Sequence, residues 1–200
     1  MGHGEPERCN PRRCSESSSS RGNAVHSTRS PTVLGPLKGD RLEALYSVAI
    51  ALGLRQGEAL GLRWSDLDLE RGVIEVKIQL QRICKKLVLV DVKTQRSRRP
   101  VRIPGGLRSA LNTHLARQNE EKLASGHAWA DTGLVFTTML GTPIDQRTLL
   151  RHYARAVKNA GLQKIRFHDL RHTSASLLLT QGVSFKAIQE TLGLPTSAQL

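Results

Sequence analysis

The chain has 200 residues and carries 30 Lys and Arg against 17 Asp and Glu, a formal net charge of +13. So basic a surface favours a polyanion, nucleic acid or an anionic membrane face, but no apolar run is long enough to span a bilayer and the N-terminus lacks the apolar core of a signal peptide. With 38% apolar residues there is material for a buried core in one or two domains, and three cysteines (Cys9, Cys14, Cys84) in neither a disulfide framework nor a zinc spacing fit a reducing cytoplasm.

Residues 1–37, rich in Ser, Arg and Pro, show no apolar periodicity and are expected to be a disordered low-complexity segment ahead of one domain at 38–200. The charge is not a property of that segment, because residues 1–40 hold six basic and four acidic side chains and +11 remains on the rest. Asp40 stands where it can cap a helix whose apolar positions Leu42, Leu45, Val48, Ala49 and Leu52 keep helical spacing up to Gly53. A second short helix is expected around 58–62. Alternation over 73–78 predicts a strand; 87–90 and 99–103 predict two more, joined by the polar segment 91–98 into a hairpin. Helices follow at about 106–125, 146–160, 168–181 and 184–191, with a short strand at 133–137 leading into the Gly141-Thr142-Pro143 turn. The expected fold class is α+β, mainly α-helical, with a small antiparallel three-stranded sheet or hairpin and no internal repeat.

Three stretches carry candidate chemistry. In Gly53-Leu-Arg-Gln-Gly-Glu58 a loop between two helices sets Arg55 beside a carboxylate, an arrangement that by itself is ordinarily structural. Residues 82–108 hold nine basic side chains and one acid, Asp91. Such a run is often only a solvated face. On a hairpin it can also lie along a phosphate backbone or enter a groove, which marks Arg82, Lys85, Lys86, Arg96, Arg98, Arg99 and Arg102 as candidate DNA contacts. Aromatic residues make up only 4%, which argues against base stacking on single strands and for duplex contacts.

The third stretch is RFHDLRHT, residues 166–173. His168 and His172 stand i, i+4 on one helix face, and HDLRH departs from the zinc-peptidase pattern H-E-x-x-H only by Asp for Glu. A metal-dependent hydrolase would need a third protein ligand, the short Asp suits a general base poorly, and Arg171 would repel a dication. His168 and Arg171, i and i+3 at a helix start, read better as a phosphate site. The helix start attracts the anion, the guanidinium takes its oxygens in a fork, and the imidazole can exchange a proton near neutral pH. No metal or other cofactor is expected.

GLRQGEALGLRWSDLDL, VKTQRSRRPV and RFHDLRHTSASLLLTQGV, in this order and spacing, resemble the catalytic domain of the tyrosine recombinases, the phage-integrase family, over about residues 38–194. The resemblance implies Arg55 as the first catalytic arginine and Glu58 as the acidic residue supporting its loop. It implies Lys93 as the catalytic lysine on the β-hairpin, and His168 and Arg171 as the H-x-x-R pair. It also implies double-stranded DNA as partner, further recombinase protomers on that DNA, and a bacterial, nucleoid-associated cytoplasmic location. The implied reaction breaks and rejoins DNA strands through a 3′-phosphotyrosyl link, in integration and site-specific recombination. In that scheme Arg55 and Arg171 neutralise the non-bridging oxygens of the attacked phosphodiester. Lys93 protonates the leaving 5′-oxygen, and His168 moves a proton at the nucleophile or orients the phosphate.

The family pattern breaks at the end of the chain. Leu194 stands where the family usually has His or Trp after a Leu-Gly pair, and the nucleophilic tyrosine would lie beyond Leu200. The only tyrosines, Tyr46 and Tyr153, sit in amphipathic helices and are expected to be core or groove-lining residues, while His172 is expected to buttress its helix. The expectation is a truncated recombinase catalytic domain, inactive alone. The alternatives are a non-catalytic duplex-DNA-binding remnant and a metal-dependent hydrolase through His168 and His172.

Overall fold

The computed structural model describes residues 35–92 and 98–193. Two helices open the domain, α1 (Glu43–Leu52) and α2 (Gln56–Gly61), followed by the strands β1 (Leu67–Asp68), β2 (Val73–Val76), β3 (Ile78–Ile83), β4 (Lys86–Asp91) and β5 (Arg99–Arg102). Four helices complete it: α3 (Gly105–Ser125), α4 (Gln146–Asn159), α5 (Asp169–Thr180) and α6 (Phe185–Leu192). All six expected helices form at their expected places, with ends shifted by a few residues.

Helix α1 is the centre of the core and packs against α3 and α5. Its Leu45, Tyr46, Val48, Ala49 and Leu52 are each at most 1% exposed. A helix buried on nearly every side belongs to a core, and each large aliphatic side chain so buried stabilises the fold by about 1.5–3 kcal/mol. Asp40 does bind the backbone at this point: its Oδ1 accepts from the Leu42 N–H at 2.8 Å. That bond closes a turn over 40–42, so the helix starts only at Glu43. Leu37, expected in the segment ahead of the domain, belongs to the core at 2% exposure. A lone apolar residue between Pro36 and Lys38 has no periodicity to reveal it.

The strands depart from expectation in three ways. The run 73–78 divides at Lys77, and its two parts enter different sheets: β1-β2-β5 is three-stranded and antiparallel, while β3 and β4 form a separate ribbon. The expected hairpin of 87–90 with 99–103 is therefore not formed. Strand β5 pairs with β2 in the register Val73↔Arg102 to Val76↔Arg99, and β4 pairs with β3 from Ile78↔Asp91 to Ile83↔Lys86. The ribbon turns through Cys84 and Lys85, both at positive φ (45° and 66°). This is the backbone of a tight two-residue hairpin turn, whose usual signal is Asn-Gly, and Cys-Lys carries no such signal.

The third departure is 133–137, which forms only the isolated bridges Arg63↔Leu134 and Thr137↔Pro143 instead of a strand. Side chains of α3 take the place of a sheet partner. Gln118 Nε2 donates to the carbonyls of Leu134 (3.1 Å) and Val135 (3.2 Å), and His114 Nε2 lies 2.8 Å from the Val135 oxygen. The buried carbonyls of this segment are thus satisfied without a ladder.

Helix α2 lies almost directly on β3. A Cβ built on Gly61 would stand 2.8 Å from Gln79 Cα, so only a glycine permits this approach. The contact aims the N-terminus of α2, with Arg55 and Glu58, toward the end of the domain where α5 and α6 meet.

Candidate anion-binding site

Arg55 caps α2 in extended backbone conformation (φ −65°, ψ 150°). The Glu58 carboxylate reaches back to accept its N–H at 3.0 Å and its Nη1 at 2.8 Å, so one carboxylate orients both main chain and guanidinium. Glu58 is 1% exposed. Burial raises its pKa, but Arg99 foremost and then Arg55 outweigh that effect and hold the carboxyl below its ordinary value. The pairing expected between Arg55 and Glu58 is in place.

Arg171, in the first turn of α5, is almost fully buried. Its Nη1 donates to the Gly53 carbonyl at 2.5 Å and its Nη2 to the Leu192 carbonyl. Arg55 Nη2 donates to the next carbonyl, Gly193, at 3.0 Å. Arg99 Nε donates to the preceding one, Thr191, at 2.7 Å. Three guanidinium groups from β5, α5 and α2 thus grip three successive carbonyls at the C-terminal end of α6. Carbonyls at the C-terminal end of a helix carry the negative end of its dipole, so cations are their natural ligands. Burial and the neighbouring Arg55 pull the Arg171 pKa down to about 10, with Glu58 opposing, and the group remains charged at neutral pH.

Among the described residues, Arg55 and Arg99 both bond the Glu58 carboxylate, and the Arg171 guanidinium lies close enough to feel its charge. Arg55, with its side chain 41% exposed, is the member open to solvent. Beside them His168 is exposed at the start of α5, its ring 5.2 Å from that of His172 and nearly perpendicular to it. Burial first, then His172 and Arg171, lower the His168 pKa, so the imidazole is neutral at neutral pH. Asp169 fixes the approach to the helix by accepting the Arg166 N–H at 2.9 Å. Among the described residues no three His, Cys, Asp or Glu side chains gather to hold a metal. A groove of about 840 Å³ opens beside His168 and Arg171, floored by Tyr153, Val157 and Phe167 and rimmed by Lys158, Lys164 and Arg166.

The other expected site residues separate into groups. Arg55, Glu58, His168 and Arg171 come together. Lys93, Arg96 and Leu194 lie outside the described residues. Arg82, Lys85 and Lys86 are exposed at the end of the β3–β4 ribbon, where Arg82 donates to Asp145 and to the Lys85 carbonyl. Arg98 and Arg102 are also exposed, Arg98 paired with Asp91 at 2.8 Å. Arg99, expected among the DNA-facing cations, is instead 8% exposed and turned into the pocket, where its Nη2 meets Glu58 at 3.2 Å. Strand alternation carried the signal for this. Arg99 shares the inner face of β5 with Val101, while Pro100 and Arg102 face out.

Both tyrosines are buried, as expected. The Tyr46 ring meets Tyr153 edge-on at 5.2 Å, and its hydroxyl lies 3.0 Å from His152 Nδ1. Tyr153 stacks edge-on against Phe167 at 5.5 Å. Burial above all raises the pKa of both phenols.

A small antiparallel sheet beside a helical body is the fold of a tyrosine-recombinase catalytic domain. The chain belongs to the phage integrase family, whose model matches residues 37–197. It is 40% identical over 173 residues to a tyrosine recombinase XerC-like protein of Caldanaerobacter subterraneus subsp. tengcongensis, covering 78% of this chain and 43% of that relative. In fold it is similar to the integrase of transposon Tn1549, solved with transposon right-end DNA (TM-score 0.74, 21% identity, 89% of this chain and 60% of that one). It is similar also to the XerA recombinase (TM-score 0.69, 24% identity, 90% and 58%). The chain thus spans less than half the length of the XerC-like relative.

Proposed function

We propose that this domain binds duplex DNA in the bacterial cytoplasm, at the nucleoid, and serves the strand-breaking and rejoining step of a tyrosine-type site-specific recombinase. The observation that carries this reading is the pair Arg55 and Arg171, whose guanidinium groups grip adjacent carbonyls and so lie side by side. Two guanidinium groups at that spacing suit the two non-bridging oxygens of one phosphodiester, whose charge grows as the phosphorus is attacked. His168, neutral at neutral pH, accepts or returns a proton at the attacking oxygen. Lys93 is assigned the leaving 5′-oxygen. Neither Tyr46 nor Tyr153 serves as the nucleophile, because both rings are locked in the core with phenol pKa values raised. These residues thus clamp the phosphodiester, and the attack falls to a tyrosine other than Tyr46 and Tyr153.

Titration of duplex DNA with the purified chain tests this. Affinity is expected to fall steeply between about 50 and 200 mM salt, and salt-independent binding would refute the reading. A denaturation-stable protein–DNA band mapped to Tyr46 or Tyr153 would overturn the assignment of both tyrosines.

A further inference from the structure

We infer that Arg99 is a positioning residue of the phosphate site: it holds Glu58 against Arg55. This rests on the DNA reading above and adds a residue to it. At 8% exposure Arg99 is too deep to touch a duplex, and a charge so deep costs several kcal/mol unless it is paired. Its Nη2 stands 3.2 Å from Glu58 Oε2, the same oxygen that accepts the Arg55 N–H at 3.0 Å. The other oxygen, Oε1, accepts Arg55 Nη1 at 2.8 Å. Glu58 is therefore divided between the arginine that faces solvent and the arginine that does not.

The backbone after α6 rests on the same group. Gly193 has φ +62°, and a Cβ there would stand 3.0 Å from Arg99 Nη1 and 3.8 Å from Arg55 Nη1. With Nε on the Thr191 carbonyl at 2.7 Å, the Arg99 guanidinium is itself held in place where it meets Glu58. Among the described residues, the charged groups around Glu58 are Arg55 from α2, Arg99 from β5 and Arg171 from α5. Without Arg99, burial favours the protonated carboxyl, which orients Arg55 less well.

Two measurements on the full chain decide the matter, with Arg99→Gln, Arg99→Lys, Glu58→Gln and the Arg99→Gln/Glu58→Gln double variant. One is the Glu58 carboxyl titration by carbon NMR. The other is duplex-DNA affinity from about pH 8 to about pH 5, a window that brackets an unpaired buried carboxyl. Arg99→Gln is expected to raise the Glu58 midpoint and to lose affinity on acidification, on the order of tenfold relative to the unmodified chain. Arg99→Lys should restore most of the loss. Because Arg99 acts through Glu58, the double variant should bind as Glu58→Gln alone does. His168 titrates in every variant and cancels in the comparison. A uniform loss at all pH values that persists in the Glu58→Gln background would overturn the inference. If the unmodified chain shows no salt-dependent duplex binding, the DNA reading fails. The titration alone then decides, with an unchanged Glu58 midpoint refuting the hold of Arg99 on that carboxylate.

Discussion

Two groups of cations stand on this domain, and the protein holds them in opposite ways. In the pocket, Arg99 and Arg171 are buried, Arg55 is half-exposed, and each donates to a named carbonyl as well as lying near one carboxylate. On the β3–β4 ribbon, Lys85 and Lys86 are exposed and Arg82 has its side chain 43% exposed against Asp145. Charges held rigidly in low dielectric define a geometry and depend on their partners to stay folded. Charges in water attract a polyanion from a distance and are screened by salt. The same residue type thus supplies shape in one region and long-range attraction in the other.

The sharpest test of this contrast is to remove one carboxylate from each region. Glu58→Ala should cost about 3–5 kcal/mol in urea unfolding, because it leaves buried guanidinium groups uncompensated. Asp91→Ala, which frees only the exposed Arg98, should change stability by less than about 1 kcal/mol. Equal effects would break the comparison. Next in size, Arg171→Ala should weaken duplex binding by about 1.5–3 kcal/mol, since it removes charge-assisted hydrogen bonds to the phosphate. The double change Lys85→Ala/Lys86→Ala should instead lower the slope of log affinity against log salt by about 0.9 for each phosphate that is no longer neutralised. Its unfolding free energy should stay within about 0.5 kcal/mol of the unmodified chain.

The smallest expected effect is on the acid side. Glu58 has a folded pKa below its unfolded value of about 4.3. Its stabilising contribution is therefore complete above that pH and is lost as pH falls through the folded value. In Glu58→Gln, unfolding free energy should decline less steeply with acid over this range. An unchanged slope would mean that Glu58 is not the group responding.

The helices were legible because their apolar spacing is regular and their stops are plain, as at Gly53 and Gly193, both left-handed C-caps. Four site residues were legible for a different reason, since Arg55 and Glu58, and His168 and Arg171, pair within one helical turn. Strand pairing was not legible. Nothing local says that 73–78 divides at Lys77 or that a Cys-Lys turn closes a ribbon, because register is decided by partners far along the chain. Arg99 was hidden by company. In a run of basic residues it reads as one more solvent cation, and only alternation with Val101 separates it. The carbonyls of Thr191, Leu192 and Gly193 have no side-chain signature at all.

Those three carbonyls also bear on the order in which the domain comes together. Arg99 lies 92 residues from Thr191 in sequence, and Arg55 lies 138 from Gly193. Contacts between such distant segments cannot form until the intervening chain has been closed into place, at an entropic cost that α1 or the β3–β4 ribbon does not face. The arginine pocket is in this sense the seam of the molecule, sewn when its early and late segments meet. A local opening of α6 would take one carbonyl from each of the three guanidinium groups at once, and the hold on an anion would loosen well before the core dissolves.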